Sequence, residues 1–549
     1  MTPEASSRRS CDLCYTKKIK CNAQKPRCSN CEQYTSDCTY AATSRRTLSR
    51  KQRQRAAVAP LESRVEYLET RLADVLEKID RLEERPVPKN TARSPSLSVI
   101  GSDINDPGLP AGKPHGPSME LPPLQEVLAA VEKYLTTSNA FLPLFHPGRL
   151  LRSVHRWYSH PEQRVSATWA AINVVLALAY CQADSDEENY AKKPVKYLNN
   201  AQSVLTEITM RDVDLTNVQV LAGLAMLFQG ALDLKPATIL IATALRLAHG
   251  LGLHTRSSSA NLDNSLALER DRVFWIIYIL DRDISFRTRQ PPLQLETEID
   301  LDLPPEESSG DNAEFMATGN SQFNFLRARI QLAHIQGRVY NCLYSVQAQN
   351  VSPEQRNKEL AGVRHLLNDW TSHLPSQVKM SALSQGGTPT LSRYFGVLYA
   401  TRQACLSLAS QAHPWDRRWL ENLQAYSGGS VAEETDTPVS LTHNWQGLVH
   451  ECREFMAFFV SIHRKDASFI WMTACTYIAC LVCVVANSVV YPLHDFLQLD
   501  MHLSVTALLF LEDIVLQTTD DSLQKLRDAC KELMLKASFI SQEGSAENK

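Results

Sequence analysis

The stretch CDLCYTKKIKCNAQKPRCSNCEQYTSDC, residues 11–38, holds six of the chain's fourteen cysteines, and the other eight are spread over the remaining 521 residues. Cys11, Cys14, Cys21, Cys28, Cys31 and Cys38 follow the spacing C-x2-C-x6-C-x6-C-x2-C-x6-C, two identical triplets seventeen residues apart. Three thiolates leave a tetrahedral zinc ion one ligand short. Two triplets holding two ions fill every position if one sulfur of each triplet bridges both metals. Six thiolates and two Zn²⁺ then sum to a charge of about -2, which the interleaved lysines help to offset. Three disulfides would need an oxidising compartment, and the opening MTPEASSRRS has no apolar signal-peptide run to suggest one. A single four-cysteine site with two spare thiols would leave the repeat unexplained.

Charge is distributed unevenly around this knot. The 549-residue chain carries a net charge of -3, yet residues 1–60 hold thirteen Lys or Arg against four Asp or Glu. A basic end on a mildly acidic chain predicts a polyanionic partner for that end. Forty-four per cent apolar and 21 per cent charged residues are ordinary for a globular protein.

Downstream, residues 41–60 read as a basic linker, and residues 61–85 read as a heptad helix. Val65, Leu72 and Ile79 occupy a positions, and Leu61, Leu68, Val75 and Leu82 occupy d positions. Flanking charges would pair Arg64 with Glu69 and Lys78 with Glu83 of a parallel second copy, whereas an antiparallel pair would oppose like charges. The expectation is a homodimer, with a single helix packing on its own chain as the alternative. Residues 86–120, rich in Pro, Gly and Ser, read as a disordered linker.

Residues 121–530 read as one all-helical domain, followed by a helix end and tail at 531–549. Pro236 stands where a first-turn proline is tolerated and Gly250 closes that helix. Residues 303–323 and 426–440 read as loops. Two uncharged runs, SATWAAINVVLALAYCQA and Ala467–His494, read as core helices. The second is long enough to span a bilayer, but it carries Thr473, Thr476, Asn487 and Ser488 and no close basic flank, so no membrane partner is expected. Cys475, Cys480 and Cys483 within it are expected to be buried. His249 and His254 lie beside glycines without a third catalytic partner, and Arg270 and Arg272 are expected to pair internally with Asp281 and Asp283. The sequence has no P-loop, G-x-G-x-x-G, H-E-x-x-H or G-x-S-x-G motif, so no enzyme is expected.

Residues 11–38 resemble the Zn2Cys6 binuclear cluster of fungal transcription factors, matching its cysteines, Lys18, Lys20 and the loop proline Pro26. They depart from it at Tyr15, where the family has arginine. The resemblance implies two zinc ions bridged by Cys11 and Cys28, and two short helices related by a pseudo-twofold. It implies that Lys18, helped by Lys17, reads the guanines of a CGG triplet, whose O6 and N7 accept hydrogen bonds. Lys20, Lys25 and Arg27 would meet phosphates. LRLAHGLGLHTR and the following ERDRVFWIIYILDRDISFRTRQPPLQLETEIDLDLP are similar to the middle homology region of the same family, with Arg289-Gln290-Pro291 standing for the usual Gly-Arg-Pro. That likeness implies a regulatory domain, open to a small-molecule effector. The fold class expected is mainly α: a Zn2Cys6 domain at 1–40, a coiled coil and a large helical body. The function expected is a nuclear regulator that binds double-stranded DNA as a homodimer on paired half-sites. The alternative is a helical sensor or enzyme-like protein with a structural zinc knot.

Overall fold

The computed structural model describes residues 10–40, 119–181, 188–231, 233–306, 315–318, 321–410, 444–462, 467–518 and 521–547. The heptad helix, the basic linker, residues 86–118 and the loop at 426–440 lie outside the described residues. The chain divides into two units, Met1–Ser102 and Asp103–Lys549.

Among its described residues, 10–40, the first unit has no apolar core of the ordinary kind. The two helices described there, α1 (Asp12–Thr16) and α2 (Ser29–Gln33), are five residues each. Its buried side chains are Cys11, Cys14, Cys28 and Cys31, with Leu13 and Ile19 packed at their edge. Segments this short do not fold on apolar burial alone and need a metal or disulfides.

The second unit is built of helices around two adjoining apolar clusters. The first cluster draws on α3 (Leu124–Thr136), α5 (Pro147–Ser159), α6 (Ser166–Tyr180), α7 (Glu188–Ser203), α8 (Leu205–Met210), α9 (Leu215–Gln229), α10 (Lys235–Gly250) and α11 (Asn264–Thr288), while α4 (Ser138–Phe141), between α3 and α5, places Phe141 in the second cluster. Helix α6 is apolar all round, and Trp169 to Ala179 are buried without a break, the expected state of a helix lacking a polar face. Helix α9 starts at Asp214, whose carboxylate accepts from Thr216 and Asn217 N–H in a capping box. Helix α10 carries its proline in the first turn, in keeping with the sequence.

The second cluster is formed by α12 (Phe325–Leu343), α13 (Pro353–Ser372), α14 (Met380–Gly386), α15 (Pro389–Ala409), α16 (Trp445–Ser461), α17 (Ala467–Val490), α18 (Leu497–Thr518) and α19 (Asp521–Glu547). Helix α12 serves both clusters. Leu326, Ile330 and Ala333 face the first, and Phe325, Ala328, Leu332, Ile335 and Val339 face the second.

Helix α17 is long and apolar enough to cross a membrane, but 72% of its most apolar window, mean hydropathy 2.2, is buried inside the protein. Several of its polar groups find partners there, although Asn487 Nδ2 has none among the described residues. Thr473 Oγ1 donates to Phe469 O at 2.7 Å, and Asn487 Oδ1 accepts from Trp445 Nε1 at 3.1 Å. It is the central helix of the second cluster, as expected. Cys480 and Cys483 are buried, but Cys475 is exposed, against the sequence reading.

The all-helical reading also missed a hairpin. Strands β1 (Phe315–Thr318) and β2 (Ser321–Asn324) pair antiparallel where a loop was expected. Gly319-Asn320 between two short runs was the available signal. The ion pairs differ too. Arg270 hydrogen-bonds Leu251 O at 2.7 Å and Ser259 Oγ at 3.1 Å. It lies eleven residues before Asp281 on α11, about 16 Å along the axis, too far to meet it. Asp281 instead pairs with Arg282 at 2.9 Å and Asp283 pairs with Arg329. Helix α11 ends on Arg289 at φ 54°, ψ 31°, in the left-handed region. That conformation favours glycine, a physical reason for the glycine of the related Gly-Arg-Pro pattern.

Candidate metal centre and nucleic-acid interface

The seventeen-residue repeat in the cysteines is also a repeat in the backbone. Cys11 caps α1 at φ -65°, ψ 163°, and Cys28 caps α2 at φ -77°, ψ 156°. Tyr15 N donates to Cys11 O at 2.9 Å, and Glu32 N to Cys28 O at 3.0 Å. Lys18 N reaches Tyr15 O at 3.2 Å and Thr35 N reaches Glu32 O at 3.2 Å; Ile19 N reaches Cys14 O at 3.0 Å and Ser36 N reaches Cys31 O at 3.0 Å. Lys18 and Thr35 both turn into the left-handed region, at φ 54° and 47°. Each half is one turn of helix closed by the same reversal.

The reversals bring the sulfurs together. Cys11, Cys14, Cys21 and Cys28 form one group, and Cys11, Cys28, Cys31 and Cys38 another, with all Sγ atoms of a group within 4.8 Å of one another. Cys11 and Cys28 belong to both groups, the pair that the resemblance marks as bridging. Cys11 Sγ lies 3.6 Å from Cys28 Sγ and 3.5 Å from Cys31 Sγ, and Cys14 Sγ lies 3.7 Å from Cys28 Sγ. Two sulfurs bound about 2.3 Å from one tetrahedral ion stand about 3.8 Å apart, whereas a disulfide would hold them at about 2.05 Å. The donor set and its spacing therefore fit two zinc ions. The shared thiols are also the acidic ones. Backbone N–H groups of Cys14 and Cys31 lower Cys11 and Cys28 respectively, Cys28 to about 6 despite the opposing effect of burial. The thiolate is the metal-binding form.

Only the first half carries cations. Lys17 and Lys18 in the first half correspond to Tyr34 and Thr35 in the second, and Lys20 to Asp37. Lys17, Lys18, Lys20, Lys25 and Arg27 are all exposed. Two of them already have partners: Lys17 Nζ sits 4.0 Å over the Tyr34 ring, and Arg27 pairs with Asp37 at 2.9 Å. Tyr15, which replaces the family arginine, is exposed on α1. Sequence reading missed two supports of the knot. Asn30 Nδ2 donates to Lys20 O at 3.0 Å and to Cys14 Sγ at 3.5 Å, tying the second half to the first. Thr39 Oγ1 donates to Asp12 Oδ2 at 3.0 Å and Asp12 N to Thr39 O at 2.8 Å, closing the end of the knot on α1. A polar Asn30 where the first triplet has Leu13 was the only signal of the former.

A model of the fungal Zn(2)-Cys(6) binuclear cluster domain matches residues 9–47, and one of the fungal specific transcription factor domain matches residues 131–376. The chain belongs to the fungal Zn2Cys6 transcription factors. Its cofactor is accordingly a pair of zinc ions. Two relatives are ABC-transporter-regulating transcription factors of Aspergillus oryzae and Aspergillus fumigatus, each 29% identical over 75% of this chain and 46% of their own. The chain thus spans about half the length of those relatives. The fusaridione A cluster transcription factor of Fusarium heterosporum is 24% identical over 78% of this chain and 79% of its own. Among solved structures, the K. lactis CBF3 core covers 77% of this chain and 83% of its own at 12% identity and TM-score 0.44.

His249 has structural partners. His249 Nε2 lies 2.6 Å from Gln294 Oε1, and its ring meets that of His254 at 4.7 Å. Burial lowers His254. The family models and relatives named above are all of transcription factors, not enzymes.

Proposed function

We propose that this Zn2Cys6 factor binds double-stranded DNA as a homodimer, in the nucleus, on paired CGG-type half-sites, and so directs RNA polymerase II transcription of metabolic or secondary-metabolite genes. The observation that carries the reading is the asymmetry of a symmetric knot: two halves with one backbone, and cations on one of them. In this reading Cys11 and Cys28 bridge the ions, Cys14 and Cys21 complete one, and Cys31 and Cys38 complete the other. Lys18 and Lys17 meet guanine edges, with one good base contact worth about 1–3 kcal/mol. Lys20, Lys25 and Arg27 contact phosphates. Arg27 must leave Asp37 to do so, at little cost, since an exposed pair is worth about 0–1 kcal/mol.

One knot reads few base pairs, so a second copy is needed. The heptads at Leu61, Val65, Leu68, Leu72, Val75, Ile79 and Leu82 support a parallel pair. The relatives' names support target genes for export or for biosynthesis. The helical body, with cavities inside it, is read as the part that answers a small-molecule effector, and not as an enzyme. Selection of bound sites from random DNA by the full chain tests this reading. Enrichment of two CGG triplets at one spacing is expected. Enrichment of single triplets alone removes the homodimer, and no enrichment removes the reading.

A further inference from the structure

The seam between the two clusters of the helical body is charged where its surroundings are apolar. Asp283 of α11 accepts from Gln229 Nε2 at 3.2 Å, from Gln336 Nε2 at 3.1 Å and from Arg329 Nη2. Those donors come from α9 and α12 and engage both oxygens of the carboxylate. Arg329 is not saturated. It is 4% exposed, yet its Nη1 has no hydrogen-bond partner among the described residues. A buried donor left so costs about 1–3 kcal/mol, more when charged.

Arg329 lines a cavity of about 80 Å³ whose walls include Leu227, Ile279, Leu280 and Val397. Arg393 lines it as well. A neighbouring cavity of about 50 Å³ shares Gln229, Asp283 and Val397 and adds Arg287. The cavity is thus lined by two guanidiniums, Arg329 and Arg393, and one carboxylate, Asp283, while Arg287 beside it donates to the carbonyls of Gln229 and Trp471. A water needs about 10–15 Å³ and several polar partners, and a benzene-sized guest fills about 150 Å³. The larger cavity lies between these limits, at the volume of an acid of about three to five carbons.

We propose that this cavity binds a small carboxylate with a compact apolar tail. Its carboxylate accepts from Arg329 Nη1, and its tail rests against Leu227, Ile279 and Val397. Arg329 is on α12, the helix shared by both clusters, so the ligand would join α12 to α9, α11 and α15 across the seam. The proposal rests on the effector reading and gives it a place and a chemical class.

The test uses the full, zinc-loaded chain at constant ionic strength, with butyrate against butyramide and chloride, read by calorimetry and thermal unfolding. Saturable butyrate binding with a raised unfolding temperature is expected, and no response to butyramide. Arg329→Gln is expected to weaken butyrate binding tenfold or more. Val397→Phe, which fills the space and keeps the guanidinium, is expected to abolish it, and decides the matter should Arg329→Gln not fold. Equal responses to butyrate and butyramide overturn the proposal, as does no response to straight-chain acids of two to six carbons. Butyrate binding that survives both substitutions overturns this site and leaves the effector reading standing. That reading is tested apart, by whether any small molecule shifts the affinity for DNA.

Discussion

Lys18 combines two demands that oppose each other. Its position, φ 54°, closes the first half of the knot, and a non-glycine residue there carries about 1–2 kcal/mol of strain. Thr35 repeats the conformation at φ 47° without a positive charge. Glycine at either site should therefore tighten the knot, seen as slower zinc release to a chelator. The two should part on DNA: Lys18→Gly is expected to lose about 1–3 kcal/mol of affinity for a CGG-containing duplex, and Thr35→Gly to keep it. Equal losses in a gel shift would remove Lys18 from the interface. The cysteines were legible at this scale because metal geometry imposes a fixed spacing that the sequence displays twice. Asn30 and the Asp12–Thr39 closure were not, because a short polar side chain has no spacing rule. The exposure of Cys475 depended on which side of α17 its neighbours cover, which an all-apolar run conceals.

Between elements, burial of charge decides what each substitution does. Arg453 of α16 grips Asp500 of α18 with Nε at 2.6 Å and Nη2 at 2.9 Å, and Asp500 has no exposed surface. Asp500→Asn should cost about 3–5 kcal/mol, because the guanidinium is left buried without its counter-charge, measurable by urea unfolding. Glu296 responds to pH instead. Burial would raise its carboxyl, but hydrogen bonds from His334, Tyr278 and Arg282 outweigh that and hold it at about 2, below its ordinary 4.5. Its contribution to stability is full above the ordinary value and is lost as pH falls from there toward 2. Wild type should thus be more stable than Glu296→Gln at pH 6, with the gap narrowing by pH 3 and closing near pH 2. A gap that does not change with pH would contradict the assignment. An unbroken apolar run made α6 legible, and a first-turn proline with a closing glycine made α10 so. The partner of Asp283 was not, since Arg329 lies 46 residues beyond it and only the packing of α12 brings it near.

For the molecule as a whole, the cysteines that fit the metal and most of the described helix reside in different units. The described first unit holds two helices of five residues, and its buried side chains are the cysteines that fit the ions. Stripping zinc should therefore abolish DNA binding while far-UV helicity scarcely changes, since the helical body keeps its own two cores. A large loss of helicity on chelation would mean that the body depends on the metal. The two-part organisation was legible in composition, because charge and cysteine crowd one end. The sharing of α12 between two cores was not, because a helix with apolar residues on two faces reads in sequence as one broad stripe.

Whether two ions share the sulfurs of Cys11 and Cys28 is decided by the zinc content per chain. Two zinc ions per full-length chain are predicted for the wild type, with both lost in Cys11→Ala and in Cys28→Ala. One ion per chain, or a wild-type complement in either variant, would contradict the sharing.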